Sequence, residues 1–266
     1  MKNKKVAVVI PARYASTRFP GKPLVDIAGK TMIERVYTQA RKAKLVDEVL
    51  VATDDQRIFD VVQSFSGSVL MTRNDHATGT DRLAEVAAAR LDVDIIVNVQ
   101  GDEPLIDPAT IDSAVRPLLE DESVDMSTIA ARITEKEEIT SNTVVKVVYG
   151  STGKALYFSR LPIPYYRETK DPQEQNYFAH IGLYVYRRDV LLRLASLTPT
   201  PLEQAEALEQ LRALENGISI KVVEVGRRSP AVDRPEDLEL VLRTLKSQEA
   251  EATFAVSPQA VNSAVR

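Results

Sequence analysis

A chain of 266 residues, 44% hydrophobic and 27% charged, has ample material for the core of a large α/β domain. Its net charge of −4 and pI near 5.5 argue against nonspecific nucleic-acid binding, and zero cysteines excludes disulfides, thiolate metal sites and cysteine nucleophiles. Two histidines cannot build a histidine-rich zinc centre, and no apolar run reaches membrane-spanning length; the expectation is a cytoplasmic enzyme with no membrane and no nucleic-acid partner.

Residues 6–10 form an apolar, β-branched run that reads as a buried strand. The loop after it carries Arg13, Arg18 and Lys22 among the small residues Ala12, Ala15, Ser16 and Gly21, stiffened by Pro11, Pro20 and Pro23. Ligands of open α/β sheets bind beyond the carboxyl ends of the strands, and three cations there suit a polyphosphate. A solvated basic loop is the competing reading, disfavoured by the flanking strand and the prolines. Neither GxxxxGK[ST] nor GxGxxG occurs, so P-loop ATPases and dinucleotide-dependent dehydrogenases lose their main support.

Ile33, Val36, Tyr37 and Ala40 fall at helical spacing, and Glu48–Thr53 reads as the next strand. Asp54-Asp55 opens a helix to about Phe65, a short strand follows at Val69–Met71, and a polar loop with Arg73 and Thr78 leads into a helix from Gly79 to about Leu91. That helix N-terminus suits an anion or the edge of a base, though ordinary caps explain it nearly as well. Residues 94–99 are a continuous apolar strand, as parallel strands buried on both faces tend to be. Strands then read at 126–132, 144–148, 155–158 and 181–186, a helix at 203–214, a strand at 218–225 and a final helix at 235–245. The sum is an α/β fold: a nucleotide-binding, mixed but mostly parallel sheet with helices on both faces. It forms one domain over 1–246, with a smaller mixed-strand extension around 150–190 and a tail over 247–266 that loses periodicity and is expected to fray.

Gln100-Gly101-Asp102-Glu103-Pro104 follows the apolar strand directly. A carboxylate there, beside a glycine that admits a ligand, suits Mg²⁺ on phosphates, although a plain turn also favours these residues. Asp233 precedes Pro235 and reads first as a helix cap; a cap can still aim its other oxygen at a metal, so Asp102 and Asp233 together could hold one or two Mg²⁺ ions. His180 and Tyr184 share one strand face, where His180 reads equally as a satisfied core histidine. Arg160, Tyr165, Tyr166 and Arg167 lie in a proline-marked loop that suits an acidic substrate or an interface, and Glu209-Gln210 reads as a solvated helix face.

Seven blocks in order complete the pattern: Val9-IPARYASTRFPGKPL, Met71-TRNDHATGTDRLAE, Val97-NVQGDEPLI, Ala155-LYFSRLPIP, His180-IGLYVYR, Leu208-EQLRALENG and Val232-DRPEDLE. Together, from about Val6 to Leu245, they resemble the 3-deoxy-manno-octulosonate (KDO) cytidylyltransferases. The resemblance implies transfer of CMP from CTP to KDO, an acidic eight-carbon sugar, with release of pyrophosphate, in lipopolysaccharide biosynthesis. It implies catalytic roles for Arg13, Lys22, Asp102 and Asp233, with Mg²⁺ on the two aspartates. It implies nucleotide contacts from Ala12, Arg13, Ser16, Arg18, Lys22, Arg73, Thr78 and Gln100. Sugar contacts would come from Gln100, Arg160, His180, Tyr184, Glu209 and Gln210, and a homodimer would form through about 155–186.

Phe19 stands where many relatives carry Leu, a change expected to be harmless. Thr78-Gly79-Thr80-Asp81-Arg82 and Asp233-Arg234 resemble instead a subgroup acting on an 8-amino analogue of KDO, so two sugars remain open. Cytidylyltransferases for sialic acid or methylerythritol phosphate space their basic loops differently. A noncatalytic nucleotide-binding protein on the same fold would be expected to have lost one of the two aspartates, and both are present.

Overall fold

Along β1 (Val6–Ala12), Val8 and Ile10 are buried in one hydrophobic cluster and Ala7 and Val9 in another, so a run of adjacent apolar residues feeds two cores at once. The computed structural model describes residues 4–15, 19–168 and 175–256, with 249–256 as backbone alone. After β1 come a small ribbon, β2 (Asp26–Ile27) and β3 (Lys30–Thr31), then α1 (Met32–Ala40), β4 (Glu48–Thr53), α2 (Gln56–Ser64), β5 (Val69–Met71), α3 (Gly79–Ala89) and β6 (Ile95–Asn98). The second half holds α4 (Pro108–Glu120), β7 (Met126–Arg132), α5 (Lys136–Thr140), β8 (Lys146–Tyr149), β9 (Ala155–Ser159) and β10 (Phe178–Arg187). It ends with α6 (Arg188–Ser196), α7 (Pro201–Glu206), α8 (Gln210–Glu215), β11 (Ile220–Val225) and α9 (Asp237–Val256).

The main sheet runs β11-β7-β10-β6-β1-β4-β5, with the β8–β9 hairpin attached to β10. β1 is parallel to β4 and β6, β4 to β5, and β7 to β11, whereas β10 is antiparallel to both β6 and β7. Residues of α1, α2, α4 and α9 pack on one face (Ile33, Ile58, Ile111, Val241), and those of α3, α6 and α8 on the other (Leu83, Leu191, Leu211). The parallel strands β1, β4, β5 and β6 therefore end on one edge, which is where ligands of such sheets bind.

Several expectations are corrected. Helix 203–214 is two helices, because Ala207 adopts φ 51° and breaks the chain between α7 and α8. That break starts α8 at Gln210 rather than leaving Glu209-Gln210 on a mid-helix face. At the start of the last helix, Asp237 Oδ2 accepts the Asp233 and Arg234 amides, each at 2.8 Å. α9 continues to Val256, so the tail keeps helical structure well past 247; residues 257–266 lie outside the described residues. The reading passed over α4, whose interior Pro117 interrupts a helical pattern.

Candidate active site

The end of β1 and the turn after β6 touch at Gly101. A Cβ on Gly101 would lie 3.0 Å from the Pro11 carbonyl oxygen, so glycine lets the Gln100–Asp102 turn settle against β1. At the other end of the basic loop, Gly21 takes φ +72° and its amide donates to the Tyr14 carbonyl at 3.0 Å, closing the loop on itself. The 3-10 turn that follows starts at Lys22 and aims that side chain back across the sheet edge.

Lys22 Nζ donates to Asp102 Oδ2 at 2.8 Å and to the Val232 carbonyl at 3.0 Å, and lies 3.7 Å from Asp233 Oδ1. The Val232 amide in turn donates to the Asp102 carbonyl at 2.9 Å, which brings the Asp233 segment beside the β6 turn. Three of the four residues expected to be catalytic thus converge from sequence positions up to 211 apart, as Lys22 to Asp233 spans. Two carboxylate oxygens around one ammonium form a site for positive charge made of hard donors, which suits Mg²⁺. Among the described residues no group of three or more His, Cys, Asp or Glu converges on a metal position. Two protein carboxylates fit a Mg²⁺ that takes its other ligands from phosphate and water. Next to Asp102, burial and that neighbouring carboxylate push the Glu103 carboxyl up to about 8.

Arg13, the fourth, is turned to the loop before α3: its Nη2 donates to the His76 carbonyl at 2.6 Å and the Thr78 carbonyl at 3.3 Å. Ala12 is buried at the last position of β1. Arg73 is exposed and paired with Asp75 at 3.0 Å, while its amide and His76 Nε2 both meet Glu85. Thr78 caps α3 in a reciprocal box with Asp81 and also donates to Glu209 Oε1 at 3.2 Å. Ser16 and Arg18 lie outside the described residues.

The residues expected on the sugar side gather on the α3, α6 and α8 face. The His180 and Tyr184 rings stand 5.3 Å apart, and Tyr184 stacks on Tyr186 at 5.9 Å. Glu209 accepts from Thr80 at 2.8 Å, and burial raises its carboxyl pKa against these hydrogen bonds. Gln210 is 7% exposed and its Nε2 has no partner. Gln100 Nε2 donates to the Gly182 carbonyl at 3.2 Å. Arg160 spends its guanidinium on the carbonyls of Glu206, Ala207 and Asn142, so the role expected of it at a substrate carboxylate finds no support in its contacts. A cavity of about 840 Å³ adjoins the site, lined by Glu103, His180, Gly182, Arg227 and Arg228 among others.

Sequence reasoning assigned no role to Thr128, Asn98 or Glu103. Asn98 stands opposite Tyr184 across the ladder, 4% exposed, with its Oδ1 unpartnered. Its signal was present as a polar residue ending an apolar strand that enters the QGDEP turn.

Residues 7–220 match the family model described as cytidylyltransferase. The 3-deoxy-manno-octulosonate cytidylyltransferase of Syntrophotalea carbinolica is 58% identical over 239 residues, covering 88% of this chain and 95% of the relative. That of Geobacter sulfurreducens is 55% identical over 249 residues, covering 91% and 99%. The chain belongs to the 3-deoxy-manno-octulosonate cytidylyltransferase family. A solved structure of CMP:2-keto-3-deoxy-manno-octonic acid synthetase complexed with CTP superposes with a TM-score of 0.86 at 46% identity, covering 92% of this chain and all of that one. The 4-diphosphocytidyl-2C-methyl-D-erythritol synthase of Anaerococcus prevotii shares the fold alone, with a TM-score of 0.61 at 12% identity.

Proposed function

We propose that the protein transfers CMP from CTP to KDO with Mg²⁺, giving CMP-KDO and pyrophosphate for lipopolysaccharide biosynthesis in the cytoplasm. The observation that carries this reading is the convergence of Lys22, Asp102 and Asp233 at the carboxyl edge of β1 and β6. In-line displacement at the α-phosphorus needs positioning and charge neutralisation more than covalent chemistry. Lys22 supplies an ammonium at that edge, and Asp102 and Asp233 would hold the cation. Bound with CTP, Mg²⁺ would neutralise phosphate charge and lower the pKa of a coordinated hydroxyl. Ala12, Arg13, Thr78 and Gln100 would shape the nucleotide side, with Arg73 at its rim. Gln100, His180, Tyr184, Glu209 and Gln210 would meet the sugar's hydroxyls.

A homodimer suits the same segment that was expected to build it: Leu156, Leu161 and Tyr165 are exposed, Tyr165 to 87%. The test of the reaction is pyrophosphate release from CTP and Mg²⁺, with KDO, 8-amino-KDO and no sugar in parallel. Release that needs KDO supports the proposal. Preference for the amino sugar moves the substrate, and silence with both in protein that binds CTP overturns it.

A further inference from the structure

The ladder between β7 and β10 pairs His180 with Ala130 and Ile181 with Ile129, then resumes at Tyr184 with Thr128. Gly182 and Leu183 are a two-residue insertion, and such a bulge takes carbonyls out of the ladder. Side chains meet them. Gln100 donates to the Gly182 carbonyl, and the fully buried Thr128 hydroxyl lies 2.8 Å from the Leu183 carbonyl and 3.2 Å from that of Ile181.

Thr128 has one hydroxyl proton, and both carbonyls can only accept. The proton therefore goes to them, and the Oγ1 lone pairs face His180 Nε2 at 3.0 Å. That nitrogen must carry a hydrogen. A neutral imidazole has one N–H, so Nδ1 is left as a bare acceptor. Burial holds the ring neutral, pushing its pKa down to about 3. Phe158 and Tyr184 fix its plane, with centroids 5.1 Å and 5.3 Å away.

We propose that Thr128 is a positioning residue that locks His180 as the Nε2–H tautomer, presenting Nδ1 as a fixed hydrogen-bond acceptor to a donor group of the acceptor sugar. The sugar half of this statement rests on the function proposed above; the tautomer does not. A permanent acceptor admits a hydroxyl or an ammonium at its position and disfavours a deoxy or oxo analogue, which has no proton to give.

With His76 and His180 the only histidines, ¹⁵N-histidine labelling of the full chain gives two ring systems, which a His76→Gln variant assigns. Long-range ¹H–¹⁵N spectra at neutral pH are expected to show His180 Nε2 protonated and Nδ1 bare. Thr128→Val is expected to lose that preference and raise KM for the sugar about tenfold, as loss of one neutral hydrogen bond does, with KM for CTP unchanged. Thr128→Ser restores both. Wild-type protein protonated at Nδ1, or a tautomer indifferent to Thr128→Val, overturns the proposal; the wild-type spectrum decides even if the valine variant does not fold. The predicted tautomers with one sugar KM across all three proteins overturn the sugar contact alone. Absence of any transfer in wild-type protein of the predicted tautomer overturns the functional reading instead.

Discussion

The Thr80 hydroxyl donates to Glu209 Oε2 at 2.8 Å, tying the first turn of α3 to the residue that precedes α8. Thr78 holds the other oxygen of the same carboxylate at 3.2 Å, so the loop expected beside the nucleotide also orients a residue expected on the sugar. Burial already raises the Glu209 pKa, and the threonine hydrogen bonds oppose that rise. Thr80→Val is expected to raise it further and move the acidic limb of kcat/KM for the sugar to higher pH. KM for the sugar should rise about tenfold, the scale of a lost hydrogen bond to a charged group, and Thr80→Ser should recover it. A pH–rate profile unchanged in the valine variant would remove the link.

Arg82 is fully buried and pairs with Asp54 Oδ2 at 2.8 Å while donating to Thr72. It anchors α3 across the ends of β4 and β5. Arg82→Met leaves Asp54 with an unmatched, mostly buried charge, at a cost of about 3 kcal/mol. Urea unfolding measures this directly, and a change below about 1 kcal/mol would mean the pair is replaceable.

Lys146 is another buried cation. Its Nζ donates to the carbonyls of Ser141, Val144 and Arg160 at 2.8, 2.7 and 2.5 Å, joining the start of β8 to the end of β9. Lys146→Met should destabilise by about 2–3 kcal/mol because three acceptors lose their donor together. Thermal unfolding of the two proteins side by side checks it.

Protonation of His180 gives a pH dependence with a definite sign. Its folded pKa of about 3 lies below the ordinary 6.5. Between these values the unfolded chain binds a proton that the folded chain refuses, so stability falls as pH falls through this window and is indifferent to His180 above it. The difference in unfolding free energy between wild type and His180→Gln should shrink from about pH 7.5 to about pH 5. A difference that stays constant would place a titrating His180 in the folded protein.

The sheet was legible where local pattern and tertiary role agree. Residues 48–53 and 69–71 are apolar runs bounded by turn residues, and they form β4 and β5 with those bounds. The basic loop and Asp102 were legible because a parallel sheet dictates where its ligands bind. The antiparallel placement of β10 between β6 and β7 was not, since strand order depends on contacts far apart in sequence. Asp233 was read as a cap because Pro235 follows it, and only the folded backbone shows that Asp237 receives the Asp233 and Arg234 amides. Thr128 left no local signal: a threonine inside a strand is ordinary, and its role comes from a bulge in a different strand.

The central claim is that the carboxylates around Lys22 form the transfer centre. Lys22 contacts Asp102 at 2.8 Å on an open sheet edge, so Asp102→Asn removes charge while keeping volume and fold. The decisive measurement is the rate of CMP-KDO formation by this variant with saturating Mg²⁺, CTP and KDO, beside its thermal unfolding. The expected result is a kcat at least about 100-fold below wild type in a protein with an unchanged melting curve, the scale seen when charge stabilisation is removed from a reaction centre. A folded variant within a few-fold of wild type would contradict the account.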